Sequence, residues 1–202
     1  EAMRDEATEV GGPIALRVLG NIALASCELG QHESALTRWA ELLEAQRTEF
    51  EPDDADVLRT RHNLAREYHH LRDYSRSIAA YDLVIADRER VLGPENPLTL
   101  SSQSGRASVA LAAGDVADAA LRFRNLLDAR IRVLGAAHPL TIDTAELLAT
   151  AEERLGNVDV ARALTDSALS ALASSEGEDA VSAARGMYRR AELLVERDRR
   201  AE

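Results

Sequence analysis

The stretch VLGPENPLTL at Val91–Leu100 returns as VLGAAHPLTI at Val133–Ile142 and, more loosely, as EFEPDDADVL at Glu49–Leu58. Pro52, Pro94 and Ala136 therefore stand 42 residues apart, and this offset orders most of the chain. Pro97 and Pro139 fall in register, and two periods before Pro97 lies Pro13. Leu16, Leu58, Leu100 and Ile142 form one column, and Ala23, Ala65, Ala107, Ala149 and Ala191 form another without exception. Gly30, Gly114 and Gly156 share a column with Arg72. Ala35, Ser77, Ala119 and Ala161 make a small-residue column, with Trp39, Tyr81, Phe123 and Thr165 four positions later. Leu43, Ile85, Leu127 and Leu169 follow them.

Each column has a physical meaning. Leu16, Leu19, Ile22, Ala23 and Leu29 recur at helical spacing and predict a first helix with one apolar face. The Gly just past it suits the left-handed position that ends a helix. Asp73, Asp115 and Asn157 then read as N-caps of a second helix. That helix sets a small residue and a ring at i and i+4 on one face, so that a neighbouring backbone approaches closely and the ring fills the adjoining space. Pro97 and Pro139 stop helix from running through the connection and preset the next first turn. Each unit is thus a helix, a short turn, a longer helix and a loop. A lone hairpin of this kind cannot bury its apolar face, so the units must stack.

The small-Ala-aromatic pattern resembles the tetratricopeptide repeat, and the 42-residue period with VLGxxHPLT resembles its kinesin-light-chain-type variant. The resemblance spans residues 10–200 and implies an all-α fold, a right-handed superhelical solenoid of antiparallel helix pairs. The expected layout is one continuous array: repeats at 10–51, 52–93, 94–135 and 136–177, a terminal capping helix at 178–202, and the end of a preceding helix at 1–9. The capping helix carries Ala184, Met187, Ala191 and Leu194 on the first-helix columns within a charged tail. Residues 100–113 read as a degraded first helix, because Gln103 and Arg106 replace apolar residues and Gly105 falls mid-helix, where it costs about 1 kcal/mol relative to Ala.

Composition restricts the function. The chain has 202 residues, 46% hydrophobic but only 3% aromatic, so Ala, Leu, Val and Ile must form thin, closely packed layers. All 24 basic residues are arginine, against 35 acidic ones, for a net charge of -11. Such an acidic chain is a poor general nucleic-acid binder. The lysine-free, alanine-rich usage points to a GC-rich bacterial genome. One cysteine, Cys27, cannot form an internal disulfide, and no run of about 18 apolar residues or secretory leader is visible, so the expectation is a cytoplasmic protein with no membrane span. The opening residue, Glu1, suggests an excised or processed piece of a longer chain.

No catalytic motif emerges. There is no HExxH, GxSxG, GxGxxG or GxxxxGK[ST]. His62, His69 and His70 share a helix, but a metal site needs further ligands in fixed geometry, and the expectation is no metal and no cofactor. His138 reads as structural, His32 as surface, and Cys27 as a packed thiol without a base. The acidic pairs read as solvated faces, and Trp39, Tyr81 and Phe123 as core between repeats. A non-enzymatic protein is expected.

The resemblance implies that first helices line a concave, peptide-binding groove. By column its residues are Arg17 and Asn21, then Arg59, His62, Asn63, Arg66, His69 and His70, then Ser104 and Ser108, then Glu146, Thr150 and Glu153. Asn21 and Asn63 match the amide that contacts ligand backbone in the family, whereas Gly105 and Leu147 lack it. The list runs from Arg and His to Glu, which predicts a protein or extended peptide partner with an acidic segment over Arg17, Arg59 and Arg66. The alternatives are a sensor segment of a larger bacterial signalling protein (an NTPase, kinase, protease or transcription regulator) and a self-assembling module that oligomerises through its end layers.

Overall fold

The computed structural model describes residues 12–174, which form eight helices and, among the described residues, no strand. They are α1 Pro13–Glu28, α2 His32–Gln46, α3 Ala55–His70, α4 Tyr74–Leu92, α5 Pro97–Ala113, α6 Val116–Leu134, α7 Pro139–Arg154 and α8 Val158–Ala173. The capping helix expected at 178–202 and the helix end expected at 1–9 lie outside the described residues. The chain divides into two compact units between Val109 and Ala110, inside α5. In the first unit α1 packs on α2, α2 on α3, and α3 on α4; in the second, α6 packs on α7 and α7 on α8.

The turns follow from the Gly column. Gly30, Gly114 and Gly156 have φ of 70°, 91° and 85°, and Arg72 adopts the same left-handed backbone at 60°. In each case the next amide reaches back over the helix end: Gln31 to the Ser26 carbonyl, Asp73 to Tyr68, Asp115 to Ala110 and Asn157 to Glu152, at 2.9–3.0 Å. These bonds satisfy carbonyls that the helix leaves open. The Asp73 and Asp115 carboxylates then accept from the backbone N–H of Arg76 and Asp118, capping α4 and α6. Asn157 departs from its expected role. It stands at the N-cap of α8 but makes no side-chain cap, because its amide donates instead to Glu152 Oε2 at 2.8 Å.

The alanine column lies in the core of both units. Ala23, Ala65, Ala107 and Ala149 are all fully buried, as are Ala35, Ser77 and Ala119 of the small-residue column. Ser77 Oγ donates to the Ala65 carbonyl at 2.7 Å, a contact that only a small side chain on α4 permits. Trp39, Tyr81 and Phe123 are buried four positions on, and Phe123 contributes about 2–3 kcal/mol by its burial. Thr165, the last of that column, is half-buried and turns back to the Ala161 carbonyl.

The degraded first helix expected at 100–113 lies within α5, which is continuous from Pro97 to Ala113. A Cβ at Gly105 would lie 2.5 Å from Tyr81 Cζ and Oη, so glycine is what lets the ring seat there. Arg106 is buried and reaches Asp82 Oδ1 at 2.9 Å, and Gln103 donates to Glu89 Oε1 at 2.9 Å. The three departures from the column pattern are thus met by partners on α4.

A second recurring device crosses from a second helix to the next first helix. Arg88 on α4 is buried and donates through Nη1 to the Leu98 carbonyl and Ser102 Oγ, both at 2.7 Å. Arg130 on α6, one period later, donates to the Leu140 carbonyl at 2.8 Å and Thr144 Oγ1 at 2.5 Å. Burial holds both guanidinium groups below their ordinary pKa.

Candidate binding cavity

In the first unit, α1, α2 and α3 enclose a cavity of about 620 Å³. Its floor is mostly apolar: Leu16 from α1, Trp39 and Leu42 from α2, and Phe50 beyond the end of α2, with the buried amide of Gln46 among them. Its rim is polar. Arg17 and Asn21 come from α1, one turn apart, and Arg59 and Asn63 from the same columns of α3. This pairing follows from helical spacing, since residues i and i+4 share a face. Gly20 faces Leu42, whose Cδ2 would stand 3.5 Å from an added Cβ, an ordinary packing contact. Arg59 is exposed and lies 2.9 Å from Asp56 Oδ1, an i,i+3 pair that aligns the guanidinium along the rim.

The other expected groove residues are placed differently. His62 is half-buried, with Nδ1 3.0 Å from Ser102 Oγ and 3.4 Å from Arg88 Nη1, and it meets the Tyr81 ring edge-on at 5.6 Å. Burial, reinforced by the charges of Arg88 and Arg66, lowers its pKa to about 4, so it is neutral at pH 7. Burial likewise raises the Tyr81 hydroxyl to about 12. Arg66 Nε lies 3.4 Å from Glu67 Oε1. Ser108 Oγ donates to the Ser104 carbonyl at 3.0 Å within α5. In the second unit, Thr150 Oγ1 donates to the Glu146 carbonyl at 2.8 Å, and Glu153 is half-buried on α7.

His69 and His70 belong to a separate cluster. His70 stacks on His32, with ring centroids 4.3 Å apart and planes 13° apart, and His69 lies 6.0 Å from His70. His32 is therefore not the plain surface residue that its sequence position implies. Its Nδ1 sits 2.8 Å from Oε2 of Glu67, a carboxylate with 0% exposure. Cys27 Sγ donates to Glu67 Oε1 at 3.2 Å and accepts from Trp39 Nε1 at 3.3 Å. Burial pushes the Cys27 thiol above its ordinary pKa, so it is protonated and a weak nucleophile. Burial also holds His69 and His70 below the usual histidine range. Sequence reasoning missed Glu67 and His32. No repeat column points to either of them, although Cys27 and His69, beside the cluster, stand one period apart and share a helix position.

Residues 14–86 match the tetratricopeptide repeat family. The fold is shared with a repeat protein from Podosopora anserina, named for kinesin light chain and described as having nearly identical TPR-like repeats. It aligns over 93% of this chain and 95% of its own, at 22% identity and a TM-score of 0.75. BtubC (BKLC) from P. vanneervenii aligns over 81% of this chain and 66% of its own, at 18% identity and TM-score 0.72. NprR, solved in complex with its cognate peptide NprX, aligns over 86% of this chain and 48% of its own, at 18% identity and TM-score 0.65. At these identities the likeness is one of fold: an all-α solenoid of consecutively packed helix pairs. No curated protein matches the chain. Among the described residues no helix is long and apolar enough to cross a membrane.

Proposed function

Starting from residues 14–86 as tetratricopeptide repeats, we propose that this chain is a non-catalytic scaffold that holds a partner protein through an extended, acidic segment seated in the α1–α3 cavity. The observation that carries this reading is the convergence of Arg17, Asn21, Arg59 and Asn63 over a mostly apolar floor containing Trp39. Two guanidinium groups offer paired hydrogen bonds to carboxylates, and two amides offer both a donor and an acceptor to peptide backbone. Trp39 and Phe50 supply apolar contact for a side chain between those polar groups. The fold shared with peptide-bound NprR supports a peptide as occupant.

The finer features of the reading are a 42-residue repeat array with boundaries at 10, 52, 94 and 136, and a place within a larger bacterial signalling protein. The all-arginine basic content supports that origin.

The test is affinity. A partner captured from the native organism is titrated against the wild type, Arg17→Ala and Arg59→Ala. Each substitution is expected to weaken binding about ten-fold, the loss of one charge-assisted hydrogen bond. Binding should weaken further with added salt, because rim charges are screened. Unchanged affinity in both variants removes the cavity from the account.

A further inference from the structure

The sequence holds five histidines and one cysteine, and all lie within the described residues. Cys27, His32, His69 and His70 gather where the α1–α2 turn meets the end of α3, around the buried carboxylate of Glu67. We propose that His32, Glu67 and His70 form a site for a divalent transition-metal ion of the zinc type, with a fourth position open to solvent.

The donor atoms of these three residues all lie within 4.8 Å of one another. Four-coordinate zinc, with bonds of about 2.0–2.1 Å, places its ligand atoms about 3.3 Å apart. The proposed site requires the two imidazoles, now stacked with centroids 4.3 Å apart, to rotate about their side-chain bonds to close that difference. The carboxylate is already oriented. Its Oε1 is engaged by Cys27 Sγ at 3.2 Å and Arg66 Nε at 3.4 Å, which leaves Oε2 facing His32 Nδ1 at 2.8 Å. Such outer hydrogen bonds fix a ligand's orientation in metal sites. Cys27 and Arg66 are thus positioning residues, and the Arg66 charge weakens the site relative to one without it.

The chemistry selects the ion. Two imidazoles and one carboxylate suit zinc and its neighbours, whereas calcium takes six or more oxygen ligands and magnesium a near-octahedral oxygen shell. Access exists as well. Glu67 is sealed, but His70 is exposed, and an open depression lined by Gly30, Gln31, His32 and Leu71 reaches the cluster from solvent. A bound ion would tie the start of α2 to the end of α3, joining one hairpin to the next.

The experiment is calorimetric titration of the whole chain with zinc chloride, alongside calcium and magnesium chloride. Zinc is expected to bind at one equivalent and to raise the thermal midpoint; calcium and magnesium are expected to do neither. His32→Ala and His70→Ala should each weaken zinc binding about ten-fold or more, while His69→Ala leaves it nearly unchanged. Cobalt(II) should show the visible bands of a four-coordinate ion in the wild type and lose them in His32→Ala. Circular dichroism establishes that each variant keeps its helices. Absence of one-equivalent zinc binding, or undiminished affinity in folded His32→Ala and His70→Ala, overturns the site.

Discussion

Arg72 is the one non-glycine among the described residues with positive φ, 60°, in a column otherwise filled by Gly30, Gly114 and Gly156. A Cβ in that conformation costs about 1 kcal/mol. Arg72→Gly is expected to stabilise the chain by roughly 0.5–1 kcal/mol, read as a higher urea midpoint at constant slope. Gly105 carries the opposite prediction. Gly105→Ala drives a Cβ into the Tyr81 ring and should cost about 1–3 kcal/mol. Tyr81→Leu in the same chain should relieve part of that cost, and a double-mutant cycle measures the coupling. His62 predicts a pH dependence. Its folded pKa of about 4 lies below the ordinary histidine value of 6.5. The unfolded chain therefore binds the proton first, and stability is lost as pH falls from 6.5 towards 4. Arg88, Arg66, Ser102 and Tyr81 face the ring, and none offers a negative charge at these pH values to offset that loss. The loss is on the order of 3 kcal/mol, and His62→Gln should flatten that part of the stability curve. At this scale the sequence was legible where geometry permits a single residue type, as in the alanine and glycine columns. It was not legible for His32, because its partner Glu67 lies 35 residues away and off the repeat columns.

Among the elements, α5 departs from the apolar columns because its polar residues answer a partner helix that the sequence alone does not identify. Gln103, Gly105 and Arg106 each answer a residue on α4. Amide exchange across 100–113 is accordingly expected to be no faster than across 58–71, and clearly faster exchange would mean those contacts do not hold α5 in place. The buried Arg88 and Arg130 were also hidden, because arginine is ordinarily a surface residue. Their column, with Ser102 and Thr144 as a second column one period apart, is visible in the sequence once the pairing is known. Arg130→Met keeps the apolar stem but removes the charged donor to the Leu140 carbonyl and Thr144 hydroxyl, which are left with only their bond to each other. The expected cost is about 2 kcal/mol by denaturant unfolding.

For the molecule as a whole, the 42-residue period carried the fold because stacking forces every layer to repeat the same small contacts, and those contacts admit few residue types. The binding surface repeats less. Asn21 and Asn63 recur, but the third position is Gly105, already occupied by the Tyr81 ring. The corresponding position in the second unit is Leu147, so the amide pair is confined to the first unit, where it meets Arg17 and Arg59 at one cavity. That cavity contains the chain's only tryptophan, Trp39, which reports directly on its occupancy. The most direct test is a selection from an unbiased random-peptide library on the immobilised chain, followed by Trp39 fluorescence titration of the tightest binders. The account predicts that Asp- and Glu-bearing peptides are enriched, that they change Trp39 emission saturably, and that Arg17→Ala/Arg59→Ala loses them. Enrichment without acidic residues, or acidic peptides held equally well by the double variant with Trp39 emission unmoved, would contradict it.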